Sequence, residues 1–383
     1  MATAEHARLL TGEREKFETD DAIAYFNTAN LSPLLHRVRA AGEESLLRRA
    51  KPWTISPKDW FPDVEALRAA VGRLIGATAE DVALVPATSY GLAALARNLS
   101  AGPGERVLVL DEEFPSNYYT WKRLTERTGA ELVVVEREPG ETWTEAILDE
   151  IDERVAIASL PNVHWTNGAL VELEQIAPVL REAGSTFVVD ASQSLGAMPL
   201  DVAALRPDAL VTVGYKWLLG PYSLGLLYLD PALQDGEPLE ENWLARRGSD
   251  DFTRLVDYQD AYEPGARRFD VGERSNFHLV PMLLAAVEQL LEWEVPRIAA
   301  TLKTVTDEIV ARIETLGLSA PQARAPHMLG LEFPPEAARR VAASLAEASV
   351  IASVRGSSLR IAPHLHVSNA DVDRLVDVVA SAV

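Results

Sequence analysis

Cysteine is absent from all 383 residues. That removes disulfides, zinc–thiolate sites and any thiolate nucleophile at once. Lysine is scarce, six against thirty arginines, so a lysine inside an otherwise apolar segment stands out. No run of about 18 apolar residues occurs that could cross a bilayer. The opening MATAEHARLLTGEREKFETDD is charged where a signal peptide would be apolar. Positive charge is also in deficit. A formal net charge of −21 repels polyanions, so neither nucleic acid nor an anionic membrane is an expected partner. A cytoplasmic location is the default expectation. What is present is a globular composition, 48% hydrophobic and 24% charged, in a chain long enough for about two domains. No repeat of 20–50 residues is visible.

From Asp81 to Asp230 short β-branched runs alternate with amphipathic stretches. The runs are DVALVPA (81–87), RVLVLDEE (106–113), AELVVVE (130–136), VAIASLP (155–161), TFVVDAS (186–192), ALVTVGYK (209–216) and LGLLYLD (224–230). Strands apolar on both faces, joined by helices, predict a mostly parallel seven-stranded sheet in an α/β fold. In such sheets a ligand sits beyond the carboxyl ends of the strands. Residues 231–275 read as an irregular excursion. From Pro281 a long helical pattern leads into a smaller α+β part. The expected division is a large domain over 15–275 and a small C-terminal domain over 276–383, with residues 1–14 packing on the latter.

Asp190 ends one apolar run and Lys216 ends another, 26 residues later. Two ionisable groups at such positions are costly to bury unless each has a partner. One reading is a structural ion pair. The other is a cofactor that partners both, since a desolvated lysine amine condenses with an aldehyde and a carboxylate holds a protonated ring nitrogen. The pair alone leaves both open.

The surrounding motifs point further. DASQ (190–193) followed by YKWLLGPYSLGLLY (215–228) resembles the class V aminotransferase family of fold-type I pyridoxal 5′-phosphate (PLP) enzymes, whose relatives include cysteine desulfurases, kynureninases and isopenicillin N epimerase-like proteins. The likeness runs from YFNTANLSPL (25–34) to HVSNADVDRLV (366–376). It implies that Lys216 holds the cofactor as a Schiff base, that Asp190 meets its pyridine nitrogen, and that Gln193 lies beside its phenolic oxygen. VPATSYGLAAL (85–95) would bind the phosphate through Thr88, Ser89 and the N-terminus of a helix, and EEFPSNYYTW (112–121) would stack Phe114 on the ring. In VHWTNGALVEL, Trp165 would donate its indole N–H to the phenolic oxygen from the far side. In FDVGERSN, Ser275 and Asn276 would reach the phosphate of a neighbouring subunit, which implies a homodimer with shared active sites. Arg360 would clamp the substrate carboxylate with its planar fork, with Arg355 nearby as a structural residue. Asn27 would line the substrate side.

Departures from the family pattern narrow the chemistry. The histidine before the lysine is Tyr215 here, expected to join the phosphate cup, and the serine two residues earlier is Val213. Without cysteine the enzyme cannot carry a persulfide, which excludes a sulfur-delivering desulfurase. The Asp-Gly-Asn-Ser-Leu-Gly segment of kynureninases is missing near the N-terminus. His364 and His366 form a His-x-His with no acidic or third histidine spaced to complete a metal site, so no metal is expected. The expected activity is chemistry at the α-carbon of an L-amino acid, by transamination or β-elimination. Epimerisation is the alternative reaction, and a PLP-binding regulator without catalysis the alternative of another class.

Overall fold

The computed structural model describes residues 8–355 and 358–382. Its strands, in chain order, are β1 (Ala24–Tyr25), β2 (Val82–Val85), β3 (Arg106–Leu110), β4 (Glu131–Val135), β5 (Val155–Pro161), β6 (Thr186–Asp190), β7 (Ala209–Val213), β8 (Gly225–Leu229), β9 (Leu329–Glu332), β10 (Val350–Ile351), β11 (Ser353–Arg355) and β12 (Ser358–Ile361). The helices are α1 (His36–Arg49), α2 (Pro62–Ile75), α3 (Thr88–Asn98), α4 (Pro115–Thr128), α5 (Trp143–Glu150), α6 (Leu173–Ala183), α7 (Val202–Leu205), α8 (Leu279–Trp293), α9 (Val295–Glu314), α10 (Pro335–Glu347) and α11 (Asn369–Ala382).

Local chemistry sets many of these ends. Proline opens α2 and α4, where its missing N–H costs nothing. Glycines in the left-handed region, Gly76 and Gly129, close the same two helices. Thr142 and Glu145 cap α5 reciprocally.

All seven apolar runs become strands of one sheet, in the order β2-β8-β7-β6-β5-β3-β4. Only β8 runs against the others, antiparallel to both β2 and β7. Strands β2, β7 and β8 are buried along their whole length. Apolar cores lie on both faces, and a third core gathers β9, β12, α10 and α11. Ala24 and Phe26 belong to that third core, because β1 pairs in parallel with β10. Residues 8–14 lie against the C-terminal helices: the Leu10 N–H donates to Thr301, and Arg14 bonds Asp371.

Two boundaries differ from the sequence reading. The run 209–216 was expected to be strand to its end, but β7 stops at Val213 and Lys216 sits in the turn that follows. Gly214 leaves the β6 side to pair with Leu224 and accepts from Gly220, so the chain folds back before the lysine. The long helical pattern after Pro281 is likewise two helices, parted at Glu294 with φ +65°. Pro296, in the first turn of α9, has no N–H to donate to the preceding turn, so the α8 ladder cannot run through it. Among the described residues no helix is long and apolar enough to cross a membrane.

Candidate active site

One sheet edge collects the carboxyl ends of β2, β3, β5, β6 and β7, and a cavity of about 400 Å³ opens there. Each strand exit contributes to its wall: Thr88 and Ser89 after β2, Glu113 and Phe114 after β3, Trp165 after β5, Asp190 and Gln193 from β6, Tyr215 and Lys216 after β7. The antiparallel β8 presents its amino end at the same edge and adds Tyr222 and Ser223. Helix α3 starts on this wall. Its Gly91 permits close packing on the sheet, since a Cβ there would stand 2.8 Å from Val211 Cγ1. Gly196, at φ +104°, does the same behind Lys216, where a Cβ would meet the Trp217 carbonyl oxygen at 2.3 Å.

Lys216 and Asp190 are both buried on this wall. They feel each other's charge, yet among the described residues no ion pair or hydrogen bond joins them. The structural ion pair is thereby removed. Burial lowers the Lys216 amine to about 8, with Arg360 and Arg355 pushing the same way and Asp190 opposing them. Burial likewise raises the Asp190 carboxyl, against hydrogen bonds from Ser192; its Oδ1 accepts the Ser192 N–H at 2.9 Å. Nζ of Lys216 stands 5.4 Å from the centre of the Phe114 ring, and Trp165 meets that ring edge-on at 5.5 Å. Thr88 and Ser192 share a hydroxyl–hydroxyl hydrogen bond of 3.0 Å.

These groups fit PLP. A buried amine lowered to about 8, a buried carboxyl not paired with it, an aromatic ring on the same wall and hydroxyls at a helix start match the cofactor's aldehyde, ring nitrogen, ring and phosphate in turn.

Other expected site residues lie differently. The indole N–H of Trp165 donates to the Glu112 carbonyl oxygen at 2.6 Å, so it is not the donor to a phenolic oxygen that the motif implied. The side chain of Trp165 is instead a wall, held by its own neighbouring loop. Gln193 lines the cavity, but its amide donates to the Ala29 carbonyl oxygen and accepts from Trp217 Nε1, leaving one N–H for the cavity. Ser275 and Asn276 are not on this wall. The Ser275 hydroxyl donates to the Trp60 carbonyl oxygen, and Asn276 Oδ1 accepts from His278 and Leu279 at the start of α8. A Ser-Asn before a helix is a capping signal, and that is how this chain uses Asn276.

Arg360 is buried on β12 behind Trp165 and donates Nη1 to the Trp165 carbonyl oxygen at 2.7 Å. Among the described residues its Nε has no partner, and burial, with Arg355 nearby, lowers the guanidinium to about 10. The Arg355 guanidinium lies 6.0 Å from the Trp165 ring. Asn27 stands off the wall, bridged to Ala362, with a buried Oδ1 that lacks a partner among the described residues. His364 and His366 pack around Phe17. Among the described residues no group of three or more His, Asp or Glu is placed to hold a metal.

The sequence reading missed Glu113, Ser192, Tyr222 and Ser223. Ser192 lay inside the DASQ motif, and Glu113 ended an apolar run. Tyr222 and Ser223 lay inside the YKWLLGPYSLGLLY motif, and the reversed direction of β8 is what brings them to this edge.

The family model described as aminotransferase class-V matches residues 58–371. The chain belongs to that family. It is a PLP enzyme with the fold-type I architecture, of a family that acts on amino acids. Among curated proteins it is 28% identical over 342 residues to the uncharacterized aminotransferase YcbU of Bacillus subtilis, covering 88% of each chain. It is 28% identical to a kynureninase of Deinococcus radiodurans, covering 97% of this chain and 93% of that one. The fold matches the apo cysteine desulfurase of Thermococcus onnurineus with a TM-score of 0.84 at 21% identity, over 98% of both chains.

Proposed function

We propose that this enzyme acts at the α-carbon of an L-amino acid by transamination or β-elimination, with Lys216 as the proton-transferring base. The observation that supports this most is that Lys216 and Asp190 face one cavity, both buried and unpaired with each other. Bound there, PLP supplies an aldehyde for the substrate amine and a ring that withdraws electrons from the α-carbon. Asp190 holds the proton on the ring nitrogen. Lys216 Nζ, desolvated and poised near 8, takes the α-proton and returns it. Thr88, Ser89 and the first turn of α3 hold the phosphate, with Tyr215 beside them, and Phe114 covers the ring face. Arg360, behind Trp165 and braced by its bond to that residue's carbonyl oxygen, is the cation of this reading that takes the substrate carboxylate. With no cysteine in the chain, sulfur transfer through an enzyme persulfide is no part of this reading.

We take the functional unit to be a cytoplasmic homodimer whose smaller domain is the third core, with Ala24 and Phe26 joining it, whereas α8 packs into the core of the central sheet and belongs with the large domain. The contact of Ser275 and Asn276 with a neighbouring subunit's phosphate remains part of this reading; within their own chain Ser275 bonds the Trp60 carbonyl oxygen and Asn276 Oδ1 caps the start of α8. Sedimentation with and without PLP tests the dimer; a monomer at micromolar concentration in both would refute it.

Incubation with an amino-acid panel, with and without an oxo-acid acceptor, tests the reaction. Acceptor-dependent exchange of amino and oxo groups marks transamination, and acceptor-independent release of a β-substituent marks elimination. Chiral chromatography that finds only inverted α-carbons, with no exchanged or eliminated product, would overturn both.

A further inference from the structure

Strand β3 leaves the sheet at Leu110, and Glu112 then adopts φ +50°. That left-handed turn is unfavourable for a non-glycine residue, and the Trp165 indole pins its carbonyl oxygen. The turn buries the side chain of Glu113, 8% exposed, in the cavity wall. Its Oε1 accepts the Phe114 N–H at 2.7 Å, and its Oε2 is buried without a hydrogen-bond partner among the described residues. A buried carboxylate with one bare oxygen, on a wall that already carries Asp190, is a costly anion.

We propose that Glu113 is a positioning residue of the cofactor pocket, whose neutral carboxyl, buried behind the cavity wall, fixes the Phe114 main chain. The groups around it agree. Burial and then the Asp190 charge hold the carboxyl up, to about 8, while Phe114, Asn117 and the Leu110 main chain pull it down less. Lys216 is the cation on the same wall, and Asn117 and Ser159, on α4 and β5, are neutral and hydrogen-bonded to each other. With Oε1 engaged as an acceptor, the proton belongs on Oε2. The Phe114 ring then keeps its place opposite Lys216.

The test compares wild type, Glu113→Gln and Glu113→Ala. Unfolding midpoints of the protein without cofactor, from pH 5 to 9, read the protonation state. A carboxyl raised in the folded state stabilises fully below its unfolded value, and that stability is lost as pH rises through the folded value near 8. Glu113→Gln should therefore gain on wild type from pH 5 to 8 and gain nothing more above. PLP affinity, titrated by absorbance, reads the positioning. At pH 7 Glu113→Gln should bind within about threefold of wild type and Glu113→Ala about tenfold or more weakly. A pH-independent difference between Glu113→Gln and wild type, or Glu113→Gln binding PLP as poorly as Glu113→Ala at pH 7, overturns the proposal. It rests on the PLP reading above. If wild type takes up no PLP, that reading fails by itself, and the midpoint series still decides whether Glu113 is neutral.

Discussion

Arg360 donates a hydrogen bond of 2.7 Å to the carbonyl oxygen of Trp165, 195 residues earlier in the chain. This contact brings a strand of the C-terminal core to the wall of a cavity built by the central sheet. It also spends one edge of the guanidinium and leaves Nε buried and, among the described residues, unpartnered.

Arg360→Lys should therefore cost substrate binding far more than PLP binding. A single ammonium cannot brace Trp165 and grip a carboxylate together, so apparent substrate affinity should fall by about 1–3 kcal/mol. Titration of the cofactor absorbance with substrate measures this. An unchanged half-saturation point would move the carboxylate site elsewhere, with Arg355 the next candidate.

Borohydride reduction of the purified protein should fix PLP on Lys216 alone. Of the six lysines it is the only buried one; Lys122 is partly exposed and Lys16, Lys51, Lys58 and Lys303 are exposed. An exposed amine is mostly protonated at neutral pH, whereas burial brings Lys216 to about 8. A peptide map showing the label on Lys122 or Lys303 would refute the assignment.

Asp190→Asn keeps the shape of the wall but removes the charge that holds the ring nitrogen protonated. Exchange of the substrate α-hydrogen with deuterated solvent should slow by about a hundredfold or more, with a modest loss of PLP affinity. Exchange at the wild-type rate would show that Asp190 does not serve as the electrostatic anchor of the ring.

Acid should unfold this protein through its buried histidines. His327 and His366 are lowered to about 4 by burial, and His364 falls further. The stability contribution of His327 and His366 is present above the unfolded value near 6.5 and is lost as pH falls toward 4, about 3 kcal/mol each. His327 packs on Trp217, the neighbour of Lys216, at 4.3 Å. The unfolding midpoint of His327→Gln should depend less on pH between 6.5 and 4 than that of wild type. Parallel curves would mean that His327 takes up no proton in this range.

The sequence by itself determined the sheet and the chemistry at its heart. Seven apolar runs became seven strands, because a strand buried on both faces must be apolar at every position. Lys216 and Asp190 were legible because an ionisable group at the end of such a run needs a reason to be there. Tertiary structure alone decided how the wall is assembled. The spent indole of Trp165, the helix-capping use of Asn276 and the bare oxygen of Glu113 are set by partners distant in the chain or by main-chain turns. A sequence states which donors and acceptors exist. Which of them remain free for a ligand depends on the hydrogen bonds that folding has already made.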